Sequence, residues 1–546
     1  MNWKLTLDLL VIAAYFAVIL GIGIYFSRGN RDVKEFTLGG RSIPWWAVLA
    51  SILASEISAG TFFGSPGQGY DMRNYTYALM LIGYLLARVV VSAVFVPAYY
   101  RHNVVSIYEF LETRFGPRTR RIGSAVFLVT RALASGSRLW VPTILVVILW
   151  NLMNPENPLN GWGQFWVCGL AMMIISLFTA FYTALGGIKA VIWTDVIQIA
   201  VLFAALGFSL WYLLGHIPGG WDGANSHLTG EKDLILFTWQ GDAPGATWWD
   251  QVKSVLATKY TLWVAFFGSL FITLATHGTD QDMVQRMLTA KDKTQSAKAT
   301  ILSGLADIPI VFATLTIGIL LWVYYNKVAA DLRPISALTG KTESDQVFPH
   351  FVLTIMPAGL RGLVIAGVLA TTMGSLGTAL NSLATSYCRD FHFRWFKTPE
   401  DEMSRVRLIK KATFWFALAL IAVGLGTAMV KALNPSLTII PIILGSFSYT
   451  YGSLLGIFLV GLFTKTRGND TGNWIAMLSG FIAVAVLSNL PTTLIRMFWA
   501  ECPELRPSWL PVIEFSWMIM FGTIVTFCIA LCFRTCPRSV ARHQSV

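Results

Sequence analysis

Apolar segments of 18 to 28 residues recur from one end of this chain to the other. Each is long enough to cross about 30 Å of hydrocarbon as a helix rising about 1.5 Å per residue. In that solvent every backbone N–H and C=O must find its partner within the protein, so only helices and closed barrels span. Barrel strands would show alternation in segments of about ten residues, and the long unbroken apolar runs point instead to an all-α integral membrane protein. Composition agrees, with 55% hydrophobic and 13% charged residues and a mean hydropathy of +0.59.

The segments predict thirteen transmembrane helices, over 5–27, 44–69, 75–100, 122–152, 161–184, 190–217, 257–277, 299–325, 361–387, 409–431, 437–463, 472–490 and 512–535. The first, LTLDLLVIAAYFAVILGIGIYF, carries Asp8 and lacks a small-residue cleavage site, so it reads as a retained span rather than a signal peptide. The six cysteines form neither a metal-ligand spacing nor a disulfide framework. The net charge of +12 fits basic cytoplasmic loops better than a nucleic-acid partner. With the N-terminus outside, 26 of the 41 Lys and Arg fall in cytoplasmic segments and 11 in external ones, leaving Arg88, Arg131, Arg138 and Arg361 in or at the ends of spans. The expected orientation is therefore N-terminus outside and C-terminus cytoplasmic, in a plasma or bacterial inner membrane.

After residues 1–43, the first helix and its cytoplasmic loop, five spans (44–217) precede an outer loop (218–256) and five more (257–463) follow. Residues 464–546 add two helices and a short cytoplasmic tail. An odd number of spans per half turns the halves over relative to one another, the arrangement of an inverted-repeat transporter with its site where midplane helices break. The loops 218–256 and 326–360 are expected to lie over the outer mouth as lids or short helices.

Two segments have the chemistry of such a site. In LASEISAGTFFGSPGQG, small and hydroxylated residues interrupt the apolar run, and Gly64, Pro66, Gly67 and Gly69 are expected to break it, freeing carbonyls as ligands for a hard cation. In VLATTMGSLGTALNSLATSYCRDF, Thr371, Thr372, Ser375, Thr378 and Ser382 recur at three- and four-residue spacings that share a helical face. A small, hydroxylated face also serves close helix packing.

Intramembrane charges are functional candidates because an unpaired one is costly there. Glu56 lies inside the interrupted segment, and its alternatives are a solute contact or a pairing with Arg88, Arg131 or Arg138. Arg138, in ALASGSRLW, suits a carboxylate or a salt bridge. Asp195 follows a Gly-Gly break in GGIKAVIWTDVIQ, where it either serves a cation or caps a helix starting near Trp193. His277 in LATHGTDQD has no companion ligand at metal spacing and otherwise reads as a neutral hydrogen-bonding side chain. Asp307 and Glu514 are helix-interior acids without an assigned role.

YTALGGIKAVIWTDVIQ and YGSLLGIFLVGLFTKTRGNDTGNWIAMLSGF resemble the signature regions of the sodium:solute symporter family, which includes sodium–glucose and sodium–sialic acid cotransporters. FTLGGRSIPWWAVLASILASEISAGTF, YEFLETRF and GTDQDMVQRMLTAKDKTQSAKA are similar to further family segments in the same order, over roughly 8–490. The resemblance implies a leucine-transporter-like 5+5 inverted repeat and alternating access. It implies sodium-coupled import of a small polar organic solute such as a sugar, sugar acid or other organic acid. The partners implied are sodium, the solute and the bilayer, with no nucleic acid, no obligate protein partner and no cofactor beyond the coupling sodium.

Carried over by position, the sodium ligands are the carbonyls of Ala54, Ile57 and Thr371 and the hydroxyl of Ser375, with Asp195 and Thr378 at a second site. Gly374 and Gly377 stand where relatives usually place hydroxyls. The solute is expected to meet Glu56, Ser58, Thr61, Met80, Tyr84, Arg138 and His277, while Leu444 replaces a polar side chain of sugar carriers. Enzymatic function is not expected. A proton-coupled carrier, with Glu56 or Asp195 holding the proton, and a transporter-like sensor are the alternatives; a sensor would need a signalling domain where RTCPRSVARHQSV follows the last span.

Overall fold

The computed structural model describes residues 3–535 apart from 30–31, 155, 160, 242–246, 336–341, 397, 434–438, 497–498, 500–502 and 508, and the side chains of 431–446 and 493 also fall outside the description. Its described secondary structure is helical apart from two isolated bridges. Seven helices are long and apolar enough to cross a membrane: α1 (Trp3–Ser27), the spans Thr76–Arg101, Pro117–Met153, Lys293–Val328, Leu360–Trp395 and Glu402–Val430, and a 55-residue helix, Gly161–Gly215. Trp45–Glu56 and Ala59–Met72 form a broken span bent by 66°.

The 55-residue helix is two spans, because Gly187 leaves helical geometry at φ 60°, ψ −156°. No residue with a side chain substitutes easily there: a Cβ would lie 2.7 Å from the Phe36 carbonyl oxygen, at a positive φ. A second bent pair, Gly472–Leu487 with Leu490–Arg496 at 68°, brings the candidate spans among the described residues to nine, and Val264–Gly278, Phe447–Phe463 and Phe515–Leu531 are shorter apolar helices. In chain order the helices after α1 are α2a (Trp45–Glu56) with α2b (Ala59–Met72), α3 (Thr76–Arg101), α4 (Pro117–Met153), α5 (161–186) and α6 (188–215). α7 (Val264–Gly278), α8 (Lys293–Val328), α9 (Leu360–Trp395), α10 (Glu402–Leu433), α11 (Ile439–Phe463), α12 (Gly472–Leu487) and α13 (Phe515–Leu531) follow. The loops 218–256 and 326–360 carry the short helices Gly220–Ser226, Trp248–Ala257 and Ser344–Thr354.

The break in α2 lies earlier than the glycines suggest. α2a ends at Glu56, Ile57 and Ser58 are extended at ψ 97° and 166°, and the Gly/Pro stretch continues as helix α2b. Gly67 and Gly69 serve approach rather than interruption. A Cβ on Gly69 would sit 2.3 Å from the Leu315 carbonyl of α8, and one on Gly318 of α8 would sit 1.9 Å from the Pro66 carbonyl. Backbones this close tolerate no methyl group on either side.

Asp8 fixes α1 to the start of α9. Its Oδ1 accepts the amides of Gly359 (2.8 Å) and Gly362 (2.9 Å), and its Oδ2 accepts from Arg361 Nε at 2.7 Å. A carboxylate on the free amides of a helix N-terminus satisfies both partners, which explains an acid in an apolar span. At the other face, Arg120 at the start of α4 reaches Asp390 near the end of α9 (2.7 Å) and Glu112 of the short helix Tyr108–Arg114 (2.6 Å), while Ser106 and Ser124 donate to Asp390 Oδ2. Glu514, expected inside a helix, instead caps α13 by accepting the Phe515 amide.

Candidate functional site: the break in α2 and the hydroxyl face of α9

At the end of α2a the Ile57 amide donates to Leu53 O at 3.0 Å, and the chain then turns extended before Phe62 N–H donates to Ser58 O at 2.9 Å. The carbonyls that follow Leu53 therefore lose their i+4 amides, and Ala54 and Ile57 belong to that set. Opposite lies α9. Ser375 Oγ rests 3.1 Å from both Thr371 O and Thr372 O, donating its proton inward along the helix. Its lone pairs remain free for a cation. Thr378 Oγ1 makes the equivalent bonds to Gly374 O (3.0 Å) and Ser375 O (3.1 Å).

The two glycines of α9 face oxygens of the helix pair α5–α6. A Cβ on Gly374 would come 2.6 Å from Gln198 Oε1 and 3.1 Å from Ala54 O. A Cβ on Gly377 would come 2.8 Å from the Tyr182 hydroxyl and 3.2 Å from Thr183 Oγ1. The volume that side chains at 374 and 377 would fill thus holds polar atoms of neighbouring helices. Gln198 was absent from the sequence-based candidates. The signal was its place one turn after Asp195 in the same segment, but which helix it faces is a tertiary fact.

Asp195 does not cap a helix. It lies well past the Gly187 break, fully buried within α6, where Oδ2 accepts from Ser51 Oγ of α2a at 2.5 Å and Oδ1 has no hydrogen-bond partner. Arg286 Nη1 donates to the Ser51 carbonyl at 2.6 Å from the other side.

Ser58, Ser135, Arg138, Thr372, Ser375 and Leu376 border one small cavity. The guanidinium of Arg138 stands 5.1 Å from the centre of the Phe447 ring, and no carboxylate among the described residues pairs with it. The other expected solute contacts distribute differently. Glu56 Oε1 meets Arg88 Nη2 at 2.5 Å and also His277 Nε2, and the same Arg88 nitrogen reaches Asp307 Oδ2 at 2.6 Å. Glu56, Arg88, Asp307 and His277 therefore form one buried charge cluster joining α2a, α3, α8 and α7. His277 Nδ1 bonds to Thr276 Oγ1 at 3.1 Å. Met80 packs with Tyr260, Val264 and Trp517, with Tyr84 alongside, and Thr61 is half-buried on α2b. The Leu444 side chain lies outside the described residues.

A family model described as the sodium:solute symporter family matches residues 36–153 and 163–480. The chain belongs to the sodium:solute symporter family. It is 27% identical over 486 residues to the sodium/sialic acid symporter SiaT of Proteus mirabilis, covering 87% of this chain and 88% of that one. It is also 27% identical over 481 residues to the sodium-coupled monocarboxylate transporter 1 of Xenopus laevis, covering 87% and 70% respectively. A solved structure of a Na+-coupled sialic acid symporter superposes with a TM-score of 0.74 at 21% identity, covering 96% of each chain. The expected leucine-transporter-like fold is the one the structure adopts, and the family member is a multi-pass membrane transporter.

Proposed function

We propose that this chain is a sodium-coupled symporter that imports a small polar organic solute bearing a carboxylate. The observation that carries the solute class is Arg138, a half-buried guanidinium bordering the cavity with no carboxylate of its own among the described residues. A planar guanidinium receives a carboxylate through two parallel bonds, and a charge drawn partly out of water gains from such a partner. Relatives named for sialic acid and for monocarboxylates take solutes of that kind.

In this reading sodium is held by the carbonyls of Ala54, Ile57 and Thr371 and by Ser375 Oγ, on two helices that face each other across the break. Asp195 Oδ1 and Thr378 Oγ1 serve a second cation. The solute lies against Ser58, Thr61 and Arg138, with Glu56, His277, Met80 and Tyr84 forming the wall behind it. Because Ser375 borders the solute cavity and also carries a sodium ligand, occupancy of one site orders the side chain the other uses. That shared element supplies the coupling between ion and solute. The segments 44–217 and 257–463 act as inverted halves that alternately open this site, with the N-terminus outside.

Uptake into proteoliposomes from a panel of radiolabelled sialic acids, monocarboxylates, amino acids and sugars tests the reading. An inward sodium gradient at fixed pH is expected to drive accumulation of an acid. Arg138→Gln is expected to weaken its apparent affinity tenfold or more, since a charge-assisted bond contributes about 1.5–3 kcal/mol. Uptake of a neutral sugar alone, or an Arg138→Gln affinity equal to wild type, refutes the carboxylate assignment. Accumulation driven by a proton gradient without sodium refutes the coupling ion. Labelling of a cysteine added before Trp3 from the cytoplasmic side alone refutes the orientation.

A further inference from the structure

Gln198 is 2% exposed, and neither its Oε1 nor its Nε2 has a hydrogen-bond partner. The hydroxyls of Tyr15 and Tyr182 lie near it without forming bonds of acceptable geometry. A buried amide with both ends unsatisfied is expensive, because each stranded polar group has given up its water for nothing in return. Native interiors seldom keep one without a reason, and a missing ion is one of the usual reasons.

The location supplies the reason. Gln198 Oε1 and Ala54 O both point into the volume that a side chain at 374 would occupy, at 2.6 and 3.1 Å from its Cβ position. Two oxygens converging there, one a backbone carbonyl freed by the helix break, are half of a coordination shell for a hard cation, which takes oxygen ligands alone. One turn before Gln198 on α6, Asp195 leaves Oδ1 unpartnered and supplies negative charge to the same region.

We infer that Gln198 Oε1 is a ligand of the coupling sodium ion, replacing from α6 the oxygen that Gly374 cannot supply from α9. This rests on the sodium reading proposed above. The exchange has a structural consequence: the ion then ties α6 to α2a and α9, so three helices rather than two must separate for release. It also explains why Gly374 is a glycine, because any side chain there would displace the amide.

Equilibrium binding of 22Na+ to the purified full-length protein in detergent, without solute, tests this directly on four variants. Gln198→Ala is expected to weaken sodium binding about tenfold, and Ser375→Ala to weaken it as well. Gly374→Ser placed on Gln198→Ala restores an oxygen in the vacated volume and is expected to recover most of the lost affinity. Gly374→Ser alone collides with the amide and is expected not to bind more tightly than wild type.

A second measurement separates ligation from folding. In sodium-free buffer the thermal midpoint of Gln198→Ala is expected to equal or exceed that of wild type, since a stranded amide has been removed, while the rise in midpoint on adding sodium shrinks. Unchanged binding in Gln198→Ala alongside weakened binding in Ser375→Ala overturns the inference and leaves the sodium site in place. Unchanged binding in both overturns the sodium site with it. A loss in Gln198→Ala that Gly374→Ser does not recover, or a sodium-free midpoint well below wild type, assigns Gln198 to packing and overturns the inference.

Discussion

Arg88 should be the side chain whose removal damages this protein most per atom lost. It is 1% exposed, and a single nitrogen, Nη2, serves Glu56 at 2.5 Å and Asp307 at 2.6 Å. Arg88→Met keeps much of the volume but strands Asp307 and leaves Glu56, on a different helix, with His277 alone. Breaking a buried pair costs about 3–5 kcal/mol, largely because the abandoned charge has nowhere to go, whereas replacing the whole set by neutral groups is often neutral or stabilising. The single variant should therefore lose about 3–5 kcal/mol, and Glu56→Gln, Arg88→Met and Asp307→Asn together should regain at least half of it. Thermal unfolding in detergent at one fixed scan rate is the assay, since membrane transporters seldom refold and the midpoint is then a rate-dependent quantity comparable only within a scan series. The reasoning fails if Arg88→Met unfolds at the wild-type midpoint. It fails equally if the triple variant is no more stable than the single, because the non-additivity is the signature of a shared charge cluster.

Two further outcomes follow from the packing and from the charge network around Asp390. Gly69→Ala should destabilise by about 1–3 kcal/mol as α2b is pushed off the Leu315 carbonyl, while Gly64→Ala, with nothing within 4 Å of its Cβ position, should leave the same thermal midpoint unchanged or slightly raised; equal effects at both sites would refute the close-approach role. Burial alone would raise the Glu112 carboxyl, but hydrogen bonds from Arg394 and Arg120 outweigh it and hold the group below its ordinary value. A depressed carboxyl contributes stability that is present above its unfolded value and lost as pH falls through the folded one, so wild type and Glu112→Gln should differ in midpoint at neutral pH and converge in acid; a constant difference across that range would refute it.

The length and apolarity of the segments determined the helical membrane fold, because hydrocarbon leaves the backbone no other way to satisfy its polar groups. The run of apolar helices was legible for that reason, down to the Gly-Gly break, where Gly187 takes a positive φ that admits little but glycine. Local chemistry also marked the α2 interruption and the hydroxyl face of α9. It misplaced the break itself, since Gly and Pro in a membrane helix serve either interruption or close approach, and which one applies depends on the α8 backbone lying against Gly69.

The charges divide in the same way. That Glu56 and Asp195 must meet partners followed from the cost of burying them. Which partners they meet did not: of the three arginines offered for Glu56 the structure selects Arg88, while His277 reaches it from 221 positions away along the chain and Asp307 joins only through Arg88. Gln198 shows the limit most clearly: its composition and spacing are those of any polar residue on a buried helix. Only the packing of α6 against α2a and α9 sets its amide in the space that Gly374 leaves open, because side-chain convergence is a property of helices in contact and is written in no single segment.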